Sequence, residues 1–160
     1  MTIPLSGYRA RVLGTVVGLL ALSAFAAPAI PLPAAITAVL PNVRSVWSGV
    51  YTTAQAERGR TAFEASCAGC HRPDLSGRGT AIPALRGDSF TGERHGTSVG
   101  ELYELVRTTM PPGRASSLGP EVYTDLVAYL LSANAFPSGD DELPPHEESL
   151  DVIVFDEEAD

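Results

Sequence analysis

Cys67 and Cys70 are the only two cysteines of this 160-residue chain, and His71 follows them directly. A Cys-x-x-Cys-His run is the attachment signature of c-type haem. If the run forms one helical turn, both sulfur atoms point the same way and can add to the two vinyl groups of one porphyrin. His71 then projects towards the iron as its proximal ligand. The run therefore predicts one covalently attached haem c.

Three other kinds of site use a Cys-x-x-Cys pair: a structural disulfide, a thioredoxin-like redox pair, and half of a zinc site. A zinc site needs two more ligands at short spacing, and the remaining histidines, His95 and His146, are widely separated. A thioredoxin motif lies in a βαβ unit, and no strand-like run precedes Cys67. Haem attachment is the favoured interpretation, and the other three remain its alternatives.

Residues 1–26 have the pattern of a secretory signal peptide. Two arginines and no acid occur in the first eleven residues, and an uncharged apolar run follows and ends in Ala24–Phe25–Ala26. A basic start, an apolar stretch and an A-x-A site predict cleavage near Ala26. The alternative is an uncleaved anchor in the inner membrane, since residues 12–30 are just long enough to cross a bilayer. Both interpretations place the remainder in the periplasm.

The negative charge is concentrated at the C-terminus. The formal net charge is −8, and residues 140–160 contain ten acids and no arginine. Residues 27–139 contain nine arginines and nine acids. The chain has no basic patch that would indicate nucleic acid as a partner. Repulsion among so many carboxylates predicts that residues 139–160 form an acidic, mostly disordered tail, in which the apolar run Val152–Phe155 is the exception.

The segment before the predicted domain is rich in proline and alanine. Residues 27–50 are interpreted as an irregular lead-in followed by a short apolar cluster of Val43, Val46, Trp47 and Val50. Such a cluster either packs across the domain as a strap or forms a contact patch for a partner, and the strap is the favoured interpretation. The domain itself is predicted over residues 51–138.

Three helices are predicted in that domain. The first begins at a capping box formed by Thr52 and Gln55 and runs into the Cys-x-x-Cys-His motif. The second begins at Ser98 and stops before Met110, which precedes two prolines. The third begins at Pro120 and ends around residue 134, with an inward stripe of Val122, Leu126, Tyr129 and Leu130. The stretch 72–96 is predicted to be loop, because glycine and proline recur along it.

Residues 50–137 resemble class I cytochrome c, a family that places a glycine, an aromatic residue, the motif, a proline, a leucine and a Leu-x-x-Tyr-Leu run at fixed intervals. The matching residues here are Gly59, Phe63, Cys67, Cys70, His71, Pro83, Leu85 and Leu126–Leu130. The resemblance implies an all-α cytochrome c fold, with three main helices and loops around one covalently bound haem. It also implies that the last helix crosses the first at Gly59.

The same resemblance implies the surroundings of the iron. In the family, the carbonyl of the proline accepts the free ring N–H of the proximal histidine, which assigns that role to Pro83, and Leu85 follows beside the haem. The distal ligand in the family is a methionine on the loop before the last helix. Met110 occupies that place, and Met1 is the only other methionine. The implied iron ligands are therefore His71 and Met110.

Residues 45–143 are most similar to the small cytochromes c that accompany pyrroloquinoline-quinone-dependent dehydrogenases. The similar pieces are Ser45–Tyr51, Pro83–Asp88 and Ala128–Asn134. That group commonly has a tryptophan four residues after the phenylalanine of its loop, and the tryptophan donates to a haem propionate. This chain has Arg94 in that place, four residues after Phe90. Arg94 is a candidate donor to a propionate, with simple exposure to solvent as the alternative.

The implied function is that of a monohaem electron carrier rather than an enzyme, since two axial ligands leave no iron position for oxygen or peroxide. The acidic tail could steer a basic redox partner, although it could equally serve solubility. A second interpretation is a cytochrome subunit of an exported complex, with a quinoprotein dehydrogenase or a terminal oxidase as partner. A remote third is a haem peroxidase or gas sensor with a labile Met110.

Overall fold

The computed structural model describes residues 42–158. The predicted signal peptide or anchor and most of the lead-in lie outside this part. The described elements are β1 (Arg44–Ser45), α1 (Thr53–Ser66), α2 (Ala68–His71), α3 (Asp88–Arg94), α4 (Val99–Thr109), α5 (Pro120–Ala133), α6 (Glu147–Leu150) and β2 (Ile153–Val154). The predicted all-α class with three main helices is confirmed, and these are α1, α4 and α5. None of the described helices has the length and apolar character needed to cross a membrane.

The crossing of α1 and α5 is the most extensive contact between helices within residues 42–158. It lies where the sequence predicted it, at Gly59. A Cβ atom at this position would overlap the Asp125 carbonyl and approach the Tyr129 Cβ at 2.9 Å. Only glycine lets the two helix backbones come this close, which explains why a residue with poor helix propensity lies in the middle of α1.

Helix α5 is buried more completely than its predicted stripe implied. Of that stripe, Val122 and Tyr129 are only half-buried. Other residues of the helix are fully enclosed, namely Tyr123, Val127, Ala128 and Leu131. The difference arises because α5 packs against α1 on one side and α4 on another, so that more than one face is covered. A prediction based on one apolar stripe underestimates the burial of a helix that lies at the centre of a domain.

Helix α3 lies within the stretch that was predicted to be loop, and that prediction was wrong for its seven residues. The helix begins after Gly87, whose φ of 80° turns the chain, and it buries Phe90. The Gly87 amide donates to the side chain of Asn134 at 2.9 Å, which fastens the start of α3 to the end of α5. Seven residues flanked by glycines are too few for a helical period to show in the sequence.

Most of the apolar cluster near the start of the described chain packs against the domain, as the strap interpretation requires. Val46 and Val50 are fully buried and the ring centroids of Trp47 and Phe136 lie 4.7 Å apart, whereas Val43 is 60% exposed. Strand β1, just before this cluster, pairs in parallel with β2 near the C-terminus. The two ends of the described chain are therefore joined.

The acidic segment was predicted to be mostly disordered, whereas the structure packs it on the domain. We call residues 140–156 the C-terminal wrap. Its apolar side chains face inward and are buried, namely Leu143, Leu150, Ile153 and Phe155. Its carboxylates are all exposed. The prediction failed because it was based on the average charge of the segment. The average does not show that the apolar residues are spaced so that each reaches the core while the acids stay in water.

Two polar contacts fix the register of the wrap. The buried Gln55 side chain donates to the Leu143 carbonyl at 3.0 Å and accepts from the Leu143 amide at 2.8 Å. Gln55 therefore does not reach back to Thr52 as the predicted capping box required, although the Thr52 hydroxyl does accept from the Gln55 amide. At the start of α4, a Cβ atom on Gly100 would overlap the Asp151 carboxylate. Glycine at that position lets the wrap pass closely over α4.

Candidate functional site

A cavity of about 350 Å³ lies between the end of α1, the loop after α2, and helices α4 and α5. Its walls are mainly apolar. All seven residues that the sequence analysis singled out line it: Cys67, Cys70, His71, Pro83, Leu85, Arg94 and Met110. These residues are separated by up to 43 positions in the chain, so the fold brings the predicted site together in one place.

The Cys-x-x-Cys-His run forms a helical turn, as haem attachment requires. The amides of Cys70 and His71 both donate to the Cys67 carbonyl, at 3.1 and 3.0 Å. Cys67 is half-buried, Cys70 is exposed, and no disulfide joins them. Burial and then the neighbouring Cys70 raise the pKa of the Cys67 thiol above its usual value. Both sulfur atoms are therefore free for covalent attachment at the cavity wall.

The imidazole of His71 is buried and its ring orientation is set by one backbone carbonyl. His71 Nδ1 lies 3.1 Å from the Pro83 oxygen. With the proton on Nδ1 donated to this carbonyl, Nε2 keeps a free lone pair for a metal. This is the contact that the resemblance implied for Pro83.

Gly77 positions the Pro83 carbonyl, and sequence reasoning did not assign it a role. Its φ is 67°, and a Cβ atom there would meet the Pro83 carbonyl carbon and oxygen at 2.5 and 2.6 Å. Its amide donates to the His71 carbonyl at 3.0 Å. Glycine is therefore required twice, for its backbone conformation and for the close approach. The signal in the sequence was a glycine six residues after the histidine, in a loop rich in other glycines.

Met110 ends α4 with extended backbone angles, φ −122° and ψ 145°, as expected for a residue before proline. Its carbonyl accepts a hydrogen bond of 3.0 Å from the hydroxyl of the fully buried Tyr123. Tyr123 thus ties the methionine loop to α5, and it was missed because it lies outside the predicted inward stripe. A tyrosine in the first turn of the helix after the methionine was the available signal.

Leu85 lines the cavity and is held on both sides by backbone hydrogen bonds. Its amide donates to the Leu75 carbonyl at 2.8 Å, and its carbonyl accepts from the Asn134 side chain at 3.0 Å. These bonds fix the loop wall that carries Pro83. The loop after the motif is therefore rigidly connected to the end of α5.

The surroundings of the Arg94 side chain indicate whether the cavity suits a haem. Its Nε is buried and is the one buried side-chain nitrogen or oxygen in residues 42–158 that has no hydrogen-bond partner. The nearest ionic contact, to Glu93, is long at 4.0 Å. An unsatisfied buried donor of this kind typically costs about 1–3 kcal/mol, more when it is charged. A haem propionate is an acceptor that the cavity could bring to it. Together with two thiols, an imidazole and a thioether on apolar walls, this donor set fits haem c.

The alternatives for the cysteine pair find no support in the described part of the chain. No group of three His, Cys, Asp or Glu side chains that could hold a metal ion occurs between residues 42 and 158. The pair is not a disulfide, and the element before it is helix α1 rather than a strand.

Residues 54–130 match the family model described as cytochrome C oxidase, cbb3-type, subunit III. The matched stretch begins in α1, ends in α5, and includes the motif and Met110. Neither the curated proteins nor the solved structures that were compared gave a match. Fold, cavity and family match together support a c-type cytochrome domain, which is a haem-carrying electron-transfer domain. Domains of this class are typically exported. The C-terminal wrap lies outside the matched stretch.

Proposed function

We propose that this chain is a monohaem electron carrier of the periplasm, with haem c attached through Cys67 and Cys70 and with His71 and Met110 as axial ligands. One observation carries the proposal: two thiols, an imidazole and a thioether line the same apolar cavity. Bound there, the haem would exchange single electrons by cycling between Fe(III) and Fe(II).

The residues of the chain would tune this exchange in three ways. The Pro83 carbonyl lies against Nδ1 of His71, which leaves Nε2 free to bind the iron. Met110 supplies a soft sulfur, which favours the ferrous state and raises the reduction potential. Arg94 would donate a hydrogen bond to a haem propionate. Because both groups are charged, this would be one of the stronger kinds of hydrogen bond. The apolar walls exclude water, so that little solvent reorganises when the charge changes.

An absorption spectrum of the exported protein tests the proposal. We expect haem that remains bound after denaturation, a six-coordinate low-spin reduced state that carbon monoxide does not alter, and the long-wavelength sulfur–iron band in the oxidised state. Met110→Ala should abolish that band and admit carbon monoxide. Leu105→Ala, another change in the cavity wall, should keep the band and should still not bind carbon monoxide. Carbon monoxide binding by the unaltered protein would instead favour the sensor or peroxidase interpretation, and a colourless product would contradict haem attachment.

A subunit role is the second candidate, because the matching family is described as an oxidase subunit. The partner would be a terminal oxidase or, from the resemblance in the sequence, a quinoprotein dehydrogenase. Two apolar segments of the sequence are candidates for docking, the Trp47 cluster and the run Val152–Phe155. The structure packs them together instead: Trp47 Nε1 donates to the Asp156 carbonyl at 2.9 Å, and Phe155 is buried. Docking would therefore use another surface. Co-purification with a second polypeptide would support this role, and a monomer at all concentrations would contradict it.

A further inference from the structure

Helix α3 is held mainly at its two ends. Phe90 is the one buried residue among its seven. The amide of Gly87, just before the helix, is bonded to the Asn134 side chain. At the other end, Arg94 is the last helical residue, and its carbonyl is one of those that a helix leaves without an intrahelical partner. A helix this short depends on outside contacts for its position.

Thr97 supplies the contacts at the Arg94 end. Its amide and its hydroxyl both donate to the Arg94 carbonyl, at 2.8 and 2.7 Å. The C-terminal wrap holds Thr97 in turn. The Phe155 amide donates to the Thr97 carbonyl at 2.9 Å, and the Gly96 amide donates to the Phe155 carbonyl at 2.7 Å. A continuous series of hydrogen bonds therefore runs from the wrap through Thr97 to Arg94.

This end of the wrap is fixed without help from α3. Strand β2 pairs with β1, and the buried rings of Phe155 and Phe136 pack with their centroids 5.7 Å apart. The next residue, Asp156, accepts a hydrogen bond from Trp47 on the strap. The wrap is therefore a firm support on which the end of α3 rests.

The side chain at the supported end of α3 is the one with the unsatisfied donor. Arg94 lines the haem cavity, its side chain is only 19% exposed, and its Nε has no hydrogen-bond partner among residues 42–158. Hydrogen bonds weaken steeply when the distance or the angle departs from the ideal. A bond from Arg94 to a propionate would thus depend on where α3 is held.

We propose that the C-terminal wrap positions Arg94 against a haem propionate, through Thr97, and thereby raises the reduction potential. This inference rests on the proposed function. The negative charge of a propionate favours Fe(III), and a guanidinium held against it offsets that charge. Thr97 and Phe155 are positioning residues, since they act on the haem only through Arg94. The support is specific to this chain in one respect: the family-matched stretch, 54–130, includes Arg94 and Thr97 but not the wrap.

Thr97→Val tests the inference, because it keeps the shape of the side chain and removes the hydroxyl bond to Arg94. In a spectroelectrochemical titration of the haem protein, we expect the equilibrium constant for reduction to fall about two- to fivefold, since part of a hydrogen bond to a charged group is lost. In an Arg94→Leu background the same change should have no effect, because no guanidinium remains to be positioned. A Thr97→Val effect that is equal in both backgrounds, or absent from both, would overturn the inference.

Phe155→Ala tests the part played by the wrap, because it removes the buried ring that holds the end of β2. We expect the reduction potential to fall and the amides of residues 91–95 to exchange hydrogen faster. The matched control is Leu143→Ala, which removes a buried side chain near the other end of the wrap and should change neither property. Equal changes in the two variants would mean that lost stability moves the potential, which contradicts the inference. If Phe155→Ala does not fold, Thr97→Val decides alone.

Two further variants separate this inference from the proposed function. Thr61→Val removes a similar hydroxyl bond in α1, where Thr61 donates to the Glu57 carbonyl at 3.1 Å, and should leave the potential unchanged. Arg94→Leu should itself lower the potential. An unchanged potential in Arg94→Leu would contradict the propionate contact and with it the inference, while haem attachment and axial ligation would stand. A product without haem would instead contradict the proposed function.

Discussion

The hydroxyl group of Tyr123 gives Met110 a support that depends on a single hydrogen bond. In Tyr123→Phe that bond to the Met110 carbonyl is lost, together with a longer hydrogen bond of 3.5 Å from the Leu118 amide, while the buried ring stays, at a cost of about 1 kcal/mol. If Met110 ligates the iron as proposed, we expect added imidazole to displace it at about fivefold lower concentration, as followed by loss of the sulfur–iron band. Tyr103→Phe is the control, because this buried tyrosine packs edge-on against Tyr123 but its hydroxyl makes no hydrogen bond among the described residues. Equal imidazole affinities in the two variants would show that the bond does not hold the loop.

Glu142 is the carboxylate at which a pH effect on the C-terminal wrap is expected. Arg58 donates to both of its oxygens, at 3.0 and 2.8 Å, and these hydrogen bonds lower the pKa of Glu142 below its usual value. A lowered pKa means that the pair stabilises the folded state above the unfolded pKa. This contribution is lost as the pH falls through the folded value.

Both side chains are about half exposed, so the effect of that pair is small, about 0–1 kcal/mol. In urea titrations, Glu142→Gln should be slightly less stable than the unaltered protein at pH 7, and this deficit should be smaller at about pH 3, because the pair is lost as the pH falls through the lowered pKa of Glu142. Glu148→Gln, an exposed acid of the same wrap, should show no difference at either pH. A Glu142→Gln deficit that persists undiminished at the acidic pH would mean that packing, not charge, is responsible.

At the scale of elements, the crossing of α1 and α5 allows a sharp test. Gly59→Ala should destabilise the protein by about 2–4 kcal/mol, because the new methyl group overlaps the Asp125 carbonyl and the helices must separate. Gly92→Ala is the matched control in α3, where a Cβ atom meets nothing within 4 Å, and it should be neutral or stabilising by up to about 1 kcal/mol. Thermal unfolding of both haem-loaded variants measures the difference. Similar stabilities would contradict the close crossing.

The C-terminal wrap behaves as an element of the fold rather than as a tail. Leu150 is fully buried within it, so Leu150→Ala should cost about 2–5 kcal/mol. The neighbouring Ser149 is exposed, and Ser149→Ala should change stability by less than about 0.5 kcal/mol. Denaturant titrations of the two variants give their free energies of unfolding and test this difference. A disordered tail would make both changes neutral.

The sequence predicted the elements whose signals are local. Capping residues gave the starts of α1 and α4, a proline gave the start of α5, and the motif with Gly59 and Pro83 fitted a known family pattern. The features that it missed depend on distant partners. Gln55 binds Leu143, 88 positions away, and no local pattern reveals that. Likewise, the C-terminal wrap is stable only because Gly100 and the N-terminal strap provide surfaces on which it packs. The average charge of residues 140–160 contains no information about those surfaces.

For the whole molecule, we expect the stability of the fold to depend on haem filling the cavity. A variant with both Cys67 and Cys70 changed to Ala cannot attach haem covalently and, when produced free of haem, must fill or collapse about 350 Å³. At ~24 cal/mol per Å³, such a void would cost up to about 8 kcal/mol, an upper limit because part of the cavity is open to water. That is comparable with the whole stability of a typical domain, about 5–15 kcal/mol. We therefore expect the variant to keep much of its helical far-ultraviolet circular dichroism but to lose its near-ultraviolet signal, as a molten globule does.

The single variants are the controls for this prediction, because one thioether bond still retains the haem. Cys67→Ala and Cys70→Ala should each keep the near-ultraviolet signal and unfold cooperatively. Cooperative unfolding of the double variant with native-like near-ultraviolet dichroism would contradict this dependence on haem. It would mean that the α1–α5 crossing and the C-terminal wrap, which both lie outside the cavity wall for most of their length, are sufficient to hold the fold without the macrocycle.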